Sequence, residues 1–162
     1  MSKSSDYAAD EWKLISSGPM LAGLVVSVAD LSGPVGMVKE AMSVVSDVTQ
    51  TATSTSNELI RSVAEAIKAG GGRPDTSELR SDPSNVRAML IERCKKAVAL
   101  VQQKSPADAD EYKRWLVALA RKTAEAAKEG GFLGFGGTVV SEAENVALRE
   151  IATALGVNPA QA

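Results

Sequence analysis

Apolar residues recurring every three or four positions, in stretch after stretch between glycine and proline breaks, restrict this chain to helices. Val35, Val38, Met42, Val45 and Val48 form one such stripe after Gly33-Pro34, and Leu59, Ile60, Val63 and Ile67 form another. Val86, Leu90, Cys94, Ala97, Val98 and Val101 continue the pattern, as do Tyr112, Trp115, Leu116, Leu119 and Thr123. Each stripe has the period of one helical face. Nowhere does a convincing run alternate apolar with polar, the mark of a half-buried strand.

The breaks between stripes set the boundaries. Trp12, Leu14 and Ile15 belong to a short opening helix that stops near Ser17-Gly18. Pro19 then opens a second helix, at the position where its missing N–H costs nothing. The apolar stretch from Pro19 meets Asp30 well short of the roughly 20 residues a membrane-spanning helix needs, so it reads as a buried helix. The run TQTATSTS over 49–56 is weakly helical, and Thr55 with Glu58 has capping-box spacing. Gly70 ends the helix that follows. Residues 70–82, rich in glycine and polar side chains, read as a mobile connection, after which Asp82-Pro83 opens the next helix. Ser105-Pro106-Ala107-Asp108 supplies a cap, a proline in the first turn and an acid where the helix dipole favours one. The helix it starts runs through Ala126 and Ala127 to Glu129, with Gly130 as C-cap. Ser141 and Glu144 form a capping box for a last helix carrying Leu148, Ile151, Ala152 and Leu155, closed by Gly156. The expected architecture is one all-α domain over 1–162, a helical bundle of six to seven helices. Its halves, 7–69 and 83–156, flank the 70–82 connection.

Composition narrows the function by exclusion. The chain has no histidine, which removes the commonest general acid–base, the usual partner of a serine or cysteine nucleophile, and the favoured zinc ligand. Its one cysteine, Cys94, sits on an apolar helical face and reads as a core thiol. A lone cysteine and a hydrophilic opening segment place the chain in a reducing cytoplasm. The formal net charge of −2 provides no positive field for nucleic acid or anionic lipid. Arg93, Lys95 and Lys96, with Arg121 and Lys122, are mixed with acids and read as solvated helix faces. The expected partners therefore exclude nucleic acid and a membrane span.

Residues 25–45 and 124–151 share a plan of helix, acid, glycine turn and helix with an early glutamate, the second copy having a longer turn. A duplication of this kind, folded about a pseudo-twofold, would face Asp30 and Glu40 toward Glu142 and Glu144. An acidic cluster suits a hard divalent cation. Each acid also has a local use, since Glu144 completes the capping box and Glu142 stands at a positive helix end.

The alanine-rich helix, the acid-and-glycine turn and Val140-Ser141-Glu142-Ala143-Glu144, followed by Leu148, Ile151-Ala152 and Leu155-Gly156, resemble the TerB-like family of tellurite-resistance type. These are small all-helical bacterial proteins. KEGGFLGFGG with VSEAE, together with Glu11-Trp12 and ADLSGPVGMVKE, is also similar to a group of uncharacterised bacterial proteins, over most of the chain. The TerB-like resemblance covers mainly the last fifty residues and implies metal held by acids at such turns. Here the family's Asp-Gly before the last helix is replaced by Glu129-Gly130 and a long apolar insertion.

That insertion, GGFLGFGG over 130–137, holds both phenylalanines of the chain. A phosphate cradle would want a following lysine-serine pair and a preceding strand, and neither is present. Two readings of Phe132, Leu133 and Phe135 stand. As a plug on the end of the bundle, each would contribute on the order of 1.5–3 kcal/mol. As an exposed apolar patch they would dock a protein, whether a different one or a second copy of this chain. The expected function is non-enzymatic: a bacterial cytoplasmic interaction or stress-associated scaffold, needing no cofactor. The alternative is an acidic divalent-metal-binding module on Asp30, Glu40, Glu142 and Glu144.

Overall fold

A computed structural model describes residues 4–29, 33–77, 85–129 and 140–158, with the backbone alone described over 33–43 and 127–129. Among these residues there are six α-helices and no strand, as the periodicity requires. A 3-10 turn over Ser4–Asp6 precedes α1 (Ala9–Ser27), α2 (Gly33–Ser54), α3 (Glu58–Lys68), α4 (Val86–Lys104), α5 (Pro106–Glu129) and α6 (Glu142–Ala154). No helix of the described residues is long and apolar enough to cross a membrane. The bundle is organised on α1 and α5, which pack on each other. α4 lies against both, α2 lies against both and carries α3 beside it, and α6 closes on α1 and α5.

The first departure from expectation is α1, a single helix that runs straight through Ser17-Gly18-Pro19. A proline in a helix interior removes the N–H that would bond the carbonyl four residues back, here that of Ile15. The missing donor comes from another helix. The Tyr112 hydroxyl of α5 donates to the Ile15 carbonyl oxygen at 2.6 Å, in a fully buried setting. Gly18 provides the room, because a Cβ there would lie 2.2 Å from the Tyr112 oxygen. The Gly-Pro pair therefore marks a docking point for a side chain of α5. The helix end that the same residues predict locally does not form.

α2 shows a shift of phase. Val48 is buried as expected, but its companion is Val44; Val45 is 39% exposed. Val44 fills the space over Gly23 of α1, where a Cβ would come within 2.7 Å of the valine methyl. Val35, Val38 and Met42 fall where only backbone is described. The threonine-rich run stays helical to Ser54. Its hydroxyls fold back, with Thr49 donating to the Val45 carbonyl, Thr51 to Asp47 and Thr53 to Gln50. Such bonds satisfy the side chains locally.

The cap of α3 is Asn57 and not Thr55: Asn57 Oδ1 accepts from the Ile60 N–H at 3.0 Å. Thr55 instead accepts the Asn57 N–H, at 3.1 Å. Leu59, Ile60, Val63 and Ile67 are all buried. Gly70, at φ +89°, turns the chain out of the helix in a conformation glycine adopts without a side-chain clash. Residues 71–77 carry no helix or strand. Within them Arg93 of α4 donates to the Asp75 carbonyl, and Asp75 Oδ1 accepts the Ser77 N–H at 2.9 Å.

The second half follows expectation closely. α4 begins at Val86 behind Asn85, Asp82 and Pro83 lying outside the described residues, and Leu90, Cys94, Ala97 and Val101 are buried. Tyr112, Trp115, Leu116, Leu119 and Thr123 line the inner face of α5. Ser141 caps α6, and Ile151, Ala152 and Leu155 are buried. The N-terminal segment is held to the α4–α5 corner by Tyr7, whose hydroxyl shares a 2.6 Å hydrogen bond with that of Ser105. Lys104 pairs with Glu11 and stands 5.7 Å from the Tyr7 ring centroid.

Candidate functional site

Of the four acids picked out from sequence, two have described side chains. Glu142 is exposed in the first turn of α6. Glu144, only 2% exposed, accepts the Ser141 N–H on Oε2 at 2.8 Å, while its own N–H bonds Ser141 Oγ at 3.2 Å. One carboxylate oxygen is thus engaged in closing the helix end. Asp30 lies outside the described residues, and for Glu40, within α2, only the backbone is described. Among the described residues no group of three or more histidine, cysteine, aspartate or glutamate side chains is placed to hold a metal ion together. Phe132, Leu133, Phe135 and Gly130, the expected cap, also lie outside the described residues, as do 30–32 and 131–139 in the two turns of the suspected duplication.

Two buried groups, Cys94 and Tyr112, are held in their neutral forms. Burial pushes the Cys94 thiol up to about 12, far from the thiolate that a nucleophile or metal ligand must supply. Tyr112 is raised well above the usual phenol range, first by burial and then by its neighbours Cys94 and Tyr7. A phenol kept protonated is what the donation to Ile15 requires. Thr123 donates to the Leu119 carbonyl at 2.8 Å and Ser27 to that of Gly23 at 3.2 Å.

Two surface clefts bring together elements from different parts of the chain. One, of about 590 Å³, lies where the end of α1 meets the start of α4 and the later half of α6; Val28, Val86 and Ile91 line it, and Arg87 pairs with Glu150 across it at 2.9 Å. The other, of about 370 Å³, is bounded by Thr51, Thr55, Ile60, Glu111, Trp115 and Ala118 of α2, α3, α5 and the turn between α2 and α3. A polar knot sits at that turn. The Asn57 amide donates to Asp108 at 3.2 Å and to Glu111 at 3.0 Å, while Arg61 reaches back to the Thr55 carbonyl at 2.7 Å. Asn57 therefore caps α3 and also ties it to the first turns of α5. Sequence reading passed over this residue, although an asparagine three positions before Ile60 is itself a cap signal. Elsewhere on the surface, Lys95 pairs with Glu92 and Lys122 with Asp47, so basic side chains stand among acids.

Comparison with protein-family profiles, curated proteins and solved structures finds no match for this chain.

Proposed function

We propose that the chain is a non-enzymatic interaction protein, a cytoplasmic scaffold of the interaction or stress-associated kind, docking a protein partner or a second copy through Phe132, Leu133 and Phe135. The observation that carries this reading is how the interior uses its polar groups. Tyr112 and Glu144 bond backbone at a helix gap and a helix end, Thr123 and Ser27 bond carbonyls one turn back in their own helices, and Cys94 is a neutral core thiol. Groups so engaged serve to hold a platform. A partner-binding role assigns the recognition to apolar side chains instead, and the rings at 132 and 135 are the sequence's concentrated supply of them.

The test is the double substitution Phe132→Ser with Phe135→Ser. Loss of co-purifying protein, or of self-association in sedimentation, with unchanged helical circular dichroism supports docking. Loss of helix content would overturn it and favour the plug. The alternative, a divalent-cation module of TerB-like type, rests on the exposed carboxylate of Glu142 at the start of α6.

A further inference from the structure

We draw no further inference here: the strongest candidate, the cleft between α2, α3 and α5 beside Trp115, carries nothing because the indole Nε1, without a partner among the described residues, is itself buried and nothing else shows what would fill the cleft.

Discussion

Replacing Tyr112 with phenylalanine isolates the contribution of one oxygen atom. The ring stays, so its apolar burial is preserved, while the Ile15 carbonyl loses its hydroxyl donor at a place where Pro19 offers no N–H. The net value of a hydrogen bond is only about 1 kcal/mol, but removing one partner leaves a buried acceptor unpaired, and that sets the cost at about 1–3 kcal/mol. We expect a loss of about 1–3 kcal/mol, which for a domain of this size lowers the midpoint of thermal unfolding by roughly 2–12 °C. Urea unfolding followed by circular dichroism measures it, with unchanged m-values showing that the unfolded state is not the cause. The reasoning has a sharper consequence. Pro19→Ala restores a backbone donor to the same carbonyl, so Tyr112→Phe should cost markedly less in that background, a coupling of about 1 kcal/mol or more. Equal costs in the two backgrounds, or a single-variant cost below about 0.5 kcal/mol, would refute the idea that the phenol stands in for the missing N–H.

Gly18→Ala places a methyl 2.2 Å from the Tyr112 oxygen. It should destabilise by about 2 kcal/mol or more, as overpacking does, and combining it with Tyr112→Phe should relieve part of that loss; strict additivity in chemical denaturation would count against the contact. At alkaline pH, Cys94 and Tyr112 both have folded values raised above their ordinary 9.0 and 10.0, so each favours the folded chain while neutral. That stability is fully present below about pH 9 and is lost as pH rises, with a slope approaching 1.4 kcal/mol per pH unit for Cys94 between pH 9 and 12, and a second contribution from Tyr112 above pH 10. Urea midpoints at about pH 8, 9 and 10 should fall in the wild type and stay level in Cys94→Ala; parallel curves would remove the thiol from the account. Finally, calcium titrated against Trp12 and Trp115 emission should give a flat trace under the interaction reading. A saturable change abolished by Glu142→Gln would transfer the function to the cation module.

How far the fold can be read from the residues depends on how local its causes are. α5 and α6 were legible at both face and start, because Pro106 suits a first helical turn, Ser141 and Glu144 act within one turn, and their stripes have no competing neighbour. The continuity of α1 was not legible. A proline after a glycine says stop to any local rule, and the hydroxyl that overrides it arrives from α5. Val44 and Val45 are chemically identical and adjacent, so only the space over Gly23 decides which turns inward. Thr55 and Asn57 are both good caps, and the carboxylates of Asp108 and Glu111 favour the second. For the candidate acids, the capping box already announced that Glu144 had local employment. The reach of Glu142 toward any other acid depends on chain geometry that no spacing encodes.

The seat of the Tyr112 phenol against Gly18 has a mechanical meaning. A slide of α1 along α5 by one residue, about 1.5 Å, would pull the hydroxyl away from its carbonyl and drive it into a side chain. The two helices are pinned in register like a key in a shaft. Any deformation of the bundle must then fall on α2, α3, α4 and α6, packed around an axle that does not telescope.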